Sequence, residues 1–151
     1  MTAKPTPEGY HTATAYLSIS GAKDAMEFYK LAFGATEVLR LNTPTGDIAH
    51  AEIKIGDSHI MLSEACSESP MPSPETLGGS TVAVHLYVDD VDAIFAQAID
   101  AGALDINSVE DQFYGDRTGT LQDPFGHIWF VGTHKEDLSM EEIEKRAKAL
   151  F

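Results

Sequence analysis

Two stretches of this chain align without a gap: "DAMEFYKLAFGA" from Asp24 to Ala35 and "DAIFAQAIDAGA" from Asp92 to Ala103. Each has apolar residues at helical spacing and reaches a glycine one residue before its end. Each follows an alternating segment and precedes three more strand-like segments. The chain therefore reads β-α-β-β-β twice, the mark of an internal duplication. This constrains the fold more than any other feature. A sheet whose strands alternate apolar and polar residues must bury its apolar face against another layer, here the helices.

In the first copy, Thr12–Ser20 ("TATAYLSIS") alternates: Ala15, Leu17 and Ile19 form an apolar face, and Thr14, Tyr16 and Ser18 a more polar one. Ala22, Ala25, Met26, Tyr29, Ala32 and Phe33 make the helical stripe, with Ser20 as the expected N-cap and Gly34 as the stop. "TEVLRLN", "DIAHAEIKI" and "SHIMLSEA" follow as strands, separated by the turns "TPTG" and Gly56-Asp57. Cys66–Ser80 holds three prolines, two glycines and four serines, a composition that argues against regular structure, and reads as the join. In the second copy Val82, Val84, Leu86 and Val88 alternate with Thr81, Ala83, His85 and Tyr87. The helix there carries Val91, Ile94, Phe95, Ala98 and Ile99 and stops at Gly102; "LDINSVEDQFY", "DRTGTLQD" and "HIWFVGTH" are its strands. Ser139 and Glu142 suggest a capping box for a further helix with Ile143, Ala147 and Leu150 on one stripe. The expected organisation is a single α+β domain: module one over 12–65, linker 66–80, module two 81–134 and a C-terminal helix over 139–150.

Composition narrows the function. Hydrophobic residues form 43% of 151, enough for a packed core, and the formal charge is −14. So acidic a surface repels phosphate backbones and anionic lipid, so neither nucleic acid nor membrane is an expected partner. The single cysteine, Cys66, excludes an intrachain disulfide and a cysteine-based metal cluster. No stretch has the apolar core of a signal peptide or the length of a membrane span, so a cytoplasmic location is expected. No P-loop, dinucleotide fingerprint or G-x-S-x-G occurs.

The duplicated modules, together with "EFYKLAFGA", "IGDSHIMLSEA", "LYVDDVDAIFAQAIDAGA", "EDQFYGDRTGTLQDPFGH" and "THKEDLSMEE", resemble the vicinal oxygen chelate superfamily of glyoxalase I, extradiol dioxygenases and bleomycin-resistance proteins, and within it the PhnB-like subgroup. The resemblance implies mixed sheets curled around a cleft with helices outside, and a homodimer. Metal enzymes of that superfamily take one ligand from the first and fourth strands of each module. Carried over residue by residue, those positions are Thr14, Met61, Ala83 and Phe130. Ala83 and Phe130 lack donor atoms, Met61 offers a soft thioether and Thr14 a neutral hydroxyl, so the usual site reads as dismantled. Members of the subgroup are sometimes labelled ubiquinone methyltransferases, but no glycine-rich strand-to-helix turn for a nucleotide-like cofactor is present.

If the alternation is right, Tyr16, Ser18, His50, Glu52, His59, Met61, Ser63, Ala83, His85 and Tyr87 point away from the helices. That face is polar and aromatic, as a small-molecule site requires. His85 is either a hydrogen-bonding or acid–base group for a ligand or a histidine satisfied by a neighbouring strand. His50 and Glu52 share a face and read either as part of a metal or acid–base site or as a solvated or dimer-edge pair. "EDQFYGDR" (Glu110–Arg117) either sets Gln112, Tyr114 and Arg117 at a ligand mouth or forms a hairpin turn with an Asp116–Arg117 or Glu110–Arg117 surface pair. The expected ligand-binding set is Tyr16, Met61, His85, Tyr87, Gln112, Tyr114, Arg117 and Phe130. Two functions fit: a cofactor-free protein enclosing a small hydrophobic or aromatic molecule, or a lyase, isomerase or dioxygenase with a divalent metal displaced to His50, Glu52 or His85.

Overall fold

The computed structural model describes residues 2–151. It divides into two compact units, one ending at Ser80 and the other running Thr81–Phe151. The first contains β1 (Ala15–Ile19), α1 (Ala22–Phe33), β2 (Thr36–Asn42), β3 (Ile48–Ile55), β4 (Ser58–Glu64) and a short α2 (Pro74–Leu77). The second contains β5 (Ala83–Tyr87), α3 (Val91–Ala101), β6 (Leu104–Asp111), β7 (Asp116–Gln122), β8 (Ile128–His134) and α4 (Met140–Leu150). Each unit has one four-stranded sheet, ordered β1-β4-β3-β2 and β5-β8-β7-β6. In both, the first and last strands pair in parallel and the other neighbours antiparallel. The duplication read from the helices is thus a duplication of topology, and the fold is α+β.

In the first unit Leu17 lies opposite Leu62, which lies opposite Ala51. These residues share a face with Ile19, Ile53 and Ile60, and that face is buried. It packs on α1, where all six stripe residues are buried. Phe28 is buried as well, in edge contact with Tyr29 and Phe33, so the apolar stripe is wider than the spacing indicates. Ser20 is not the N-cap. Gly21 takes that position, and the Glu64 carboxylate at the end of β4 accepts from the Gly21 and Ala22 N–H groups at 2.9 and 3.0 Å. The Ser20 hydroxyl instead meets that of Ser73 at 2.8 Å, and the Ser18 hydroxyl donates to the Met71 carbonyl at 2.6 Å. These bonds tie the proline-rich stretch to β1. Ser73 then caps α2 through the Thr76 N–H, so the segment is not devoid of regular structure.

In the second unit Leu86, Trp129, Val131 and Leu121 pack with Val91, Phe95 and Ala98 of α3. β5 begins two residues later than its alternation from Thr81 suggests, leaving Val82 73% exposed. Gly119 lets β7 approach the helix: a Cβ there would lie 2.8 Å from Phe95 Cε2. β6 ends at Asp111 rather than continuing to Tyr114. Residues 112–115 turn, with the Gln112 N–H donating to the Asp116 carbonyl at 2.7 Å. Gly115 has φ 99° in that turn, and a Cβ would fall 2.6 Å from the Glu136 carbonyl oxygen, so glycine is required there. α4 has half of its expected capping box: the Glu142 N–H donates to Ser139 Oγ, while the Glu142 carboxylate accepts from Arg146. Its stripe of Ile143, Ala147 and Leu150 is not fully buried; Arg146 bonds to the Phe113 carbonyl and Glu136, and Phe151 meets the Phe113 ring edge-on.

Candidate functional site

Strand alternation sends one set of side chains in each unit away from the helix. In the first unit Tyr16, Met61 and Glu52 lie side by side across β1, β4 and β3. His50, two residues before Glu52, shares the face. Tyr16 Oη lies 2.8 Å from His50 Nδ1, and His50 Nε2 lies 3.0 Å from Glu52 Oε2. The other Glu52 oxygen accepts from the Tyr10 hydroxyl. Glu52 is only 7% exposed. Burial pushes its carboxyl up, but the hydrogen bonds from Tyr10 and His50 outweigh that and hold it below the ordinary carboxylate value. The Tyr10 phenol is raised by the bond it gives to Glu52. Its ring stacks on His59 at 3.9 Å, and His59 Nδ1 is buried with no hydrogen-bond partner among the described residues.

In the second unit His85, Phe130 and Thr120 lie side by side across β5, β8 and β7. The His85 ring sits 4.7 Å from that of Tyr87 and 6.0 Å from that of Phe130. Gly132 lies between Tyr87 and Thr118, where a Cβ would meet Thr118 Cγ2 at 3.0 Å and come into ordinary contact with His85 Nε2 at 3.5 Å. Tyr87 donates to Asp116 at 2.8 Å, and His134 Nδ1 meets the other Asp116 oxygen at 2.7 Å. Burial raises the Asp116 carboxyl, but His134 and Tyr87 hold it below its usual value. The Tyr87 phenol is raised by Asp116, and the His134 imidazole by Asp116 and Asp137. Phe130, Thr118, Thr120, Glu110, Gln112 and Tyr114 line an open concavity of about 340 Å³ with Asn107 and Ser108.

The structure therefore brings Gln112, Tyr114 and Phe130 to one hollow and sets His85 and Tyr87 on the same sheet face as Phe130. Tyr16 and Met61 face each other in the first unit. Arg117 stands apart. It shares the β7 face of Gly119 and Leu121, toward α3, and its guanidinium clamps Asp92 at 2.9 and 3.0 Å and reaches Asp111 at 3.3 Å. It pairs with neither Asp116 nor Glu110, which corrects the expected surface pair, and it does not point into the hollow. Sequence reasoning missed Tyr10, whose segment has no periodicity to place it. It also missed Thr118 and Thr120, which the parity of "DRTGTLQD" places on the same face as Asp116.

The chain matches the glyoxalase/bleomycin resistance protein/dioxygenase superfamily profile over residues 11–131. It belongs to that superfamily. Uncharacterized protein Rv0887c of Mycobacterium tuberculosis is 40% identical over 133 residues, 85% of this chain and 78% of that protein. Uncharacterized protein At5g48480 of Arabidopsis thaliana is 30% identical over 130 residues, 80% of this chain and 76% of that one. Among solved structures, TioX from Micromonospora sp. ML1 matches 85% of this chain and all of its own, with a TM-score of 0.64 at 24% identity. A PhnB protein from Bacillus cereus matches 82% and 99%, with a TM-score of 0.64 at 15% identity. At these identities the two structures speak to the fold alone. The metal positions carried over from the superfamily do not fit a divalent cation in this chain. In the first unit Met61 offers only a thioether beside the hydrogen-bonded Glu52, and in the second Ala83 has no donor and Phe130 presents a ring to His85.

Proposed function

We propose that this superfamily member is PhnB-like and binds a small hydrophobic or aromatic molecule without a metal, as a cytoplasmic homodimer. The observation that carries the reading is the face made by His85, Tyr87 and Phe130, with the hollow lined by Gln112 and Tyr114 beside it. Apolar burial there supplies affinity at about 25 cal/mol per Å², and the imidazole and phenol supply orientation. No described helix is long and apolar enough to cross a membrane, which is compatible with this reading.

A thermal-shift screen of aromatic natural products, quinones and 2-oxo compounds supplies a ligand, which is then titrated into three variants. Phe130→Glu is expected to weaken binding at least tenfold, because it buries an unpaired charge on complex formation, and His85→Ala to weaken it without lowering the melting temperature. Arg117→Ala is expected to bind like the parent, because the guanidinium is held by Asp92 and Asp111 on the other sheet face. Parent-like affinity in both His85→Ala and Phe130→Glu would place the ligand elsewhere.

The competing reading, a metal-dependent lyase, isomerase or dioxygenase, draws on the closeness of His50 and Glu52. Against it, both His50 nitrogens and both Glu52 oxygens already have protein partners. Metal analysis of untagged protein separates the two. A stoichiometric divalent ion, removed by EDTA with loss of thermal stability, would decide for the enzyme.

A further inference from the structure

We propose that Tyr16, His50 and Glu52 form a proton relay whose outward end, the Tyr16 hydroxyl, exchanges a proton with the phenolic oxygen of a small ligand. The inference concerns the first unit and does not rest on the hollow of the second.

The direction of the relay follows from what each group can donate. An ionised carboxylate only accepts, so the 3.0 Å contact with Glu52 requires a proton on His50 Nε2. In the neutral imidazole Nδ1 is then bare, and the Tyr16 hydroxyl 2.8 Å away must donate to it. The Tyr16 oxygen then keeps its lone pairs for accepting a further hydrogen bond. The phenol is 38% exposed, whereas Glu52 at the other end is 7% exposed. The chain of bonds thus runs from a solvent-reachable oxygen to a buried, fixed charge. Tyr10 holds the second Glu52 oxygen, so the carboxylate cannot rotate away from His50.

When a phenolic ligand donates to the Tyr16 oxygen, its proton moves to that oxygen as the Tyr16 proton moves to His50 Nδ1. The ligand leaves this step as a phenolate, Tyr16 is again a phenol, and His50 is an imidazolium beside Glu52. The proton count and charge balance without a co-reactant. This transfer leaves the Tyr16 hydroxyl turned outward as a donor to the phenolate, and the reverse transfer restores its bond to His50 Nδ1. Tyr16 is the group that touches the ligand; His50 and Glu52 are positioning residues that act through it. The titratable groups facing His50 are Tyr16 from β1 and Glu52 on its own strand. Beyond them, Tyr10 is bonded to Glu52, and His59 on β4 is stacked on Tyr10 and acts on the Glu52 charge.

The probe is 4-nitrophenol, whose phenolate is coloured. Bound to the parent protein below its own pKa, it is expected to show a phenolate fraction raised on the order of tenfold over free dye, one pH unit of apparent ionisation. Nitrogen-15 NMR of histidine-labelled protein is expected to find His50 protonated at Nε2 alone when free, and at both nitrogens in the dye complex. Tyr16→Phe and His50→Gln are expected to lose the colour shift; His85→Ala is expected to keep it, so failure of this relay is distinguishable from failure of the second-unit site. A purely structural network would lower the melting temperature on substitution but leave the dye's ionisation unmoved. No dye binding, a colour shift that survives His50→Gln, or a free His50 protonated at Nδ1 would each overturn the relay. If either variant fails to fold, the parent's dye ionisation and the two His50 nitrogen signals decide.

Discussion

Asp123 shows how a single residue can settle a local structure without taking part in chemistry. It is 2% exposed, and its two oxygens hold different things. Oδ1 accepts from the Phe125 and His127 N–H groups at 2.9 and 3.0 Å, closing the Asp123-Pro124-Phe125-Gly126 turn. Oδ2 accepts from the Trp129 indole at 2.9 Å, in the core. Asp123→Ala is expected to destabilise the protein by at least about 1–3 kcal/mol, since it strands a buried indole N–H before any turn energy is counted. Urea denaturation measures this, and a change below about 0.5 kcal/mol would show that the indole finds another acceptor.

At the scale of elements, α1 is held by a partner from another strand. Its own flanking residues provide no side-chain cap; Glu64 of β4 supplies the acceptor and places a negative charge at the positive end of the helix. Glu64→Ala is expected to cost about 0.5–2 kcal/mol, the range for losing a helix cap, and Glu64→Gln less, because its amide oxygen still accepts. Chemical denaturation of the pair checks it; equal losses for the two variants would mean that packing of the side chain, and not its acceptor, holds the helix end.

For the whole molecule, the Asp116–His134 pair makes stability depend on pH in a definite sense. The His134 pKa is raised in the folded protein, so its contribution is full below the ordinary value of 6.5 and is lost as the pH rises through the raised one. The Asp116 pKa is lowered, so its contribution is full above the ordinary 3.8 and is lost as the pH falls through the lowered one. The pair therefore stabilises most between those two ordinary values. His134→Ala is expected to lower the melting temperature more at about pH 5 than at about pH 9, where the neutral imidazole keeps only a hydrogen bond to Asp116. The general repulsion within a chain of net charge −14 acts on both proteins and largely cancels in the difference. Equal losses at the two pH values would show that the pair acts through packing alone.

The sequence alone determined the repeated β-α-β-β-β order and the side of each strand that meets a helix. Those properties follow from periods of 2 and 3.6, and a period is visible in a few consecutive residues. For the same reason His85 and Tyr87 could be assigned to one face; the resemblance, not a period, supplied the metal positions Thr14, Met61, Ala83 and Phe130, of which the last two lack a donor atom. Tertiary structure decided which groups meet across long separations. Glu64 caps a helix that begins more than 40 residues earlier, Tyr10 reaches Glu52 at a separation of 42, and Arg117 turns from its neighbours Glu110 and Asp116 to Asp92, 25 residues back. A side chain long enough to bend can satisfy its charge with whichever partner the packed elements bring near, and no local pattern records that choice. The short α2 likewise depends on Ser18 of β1 and Ser20 just after it, which hold the proline-rich segment in place.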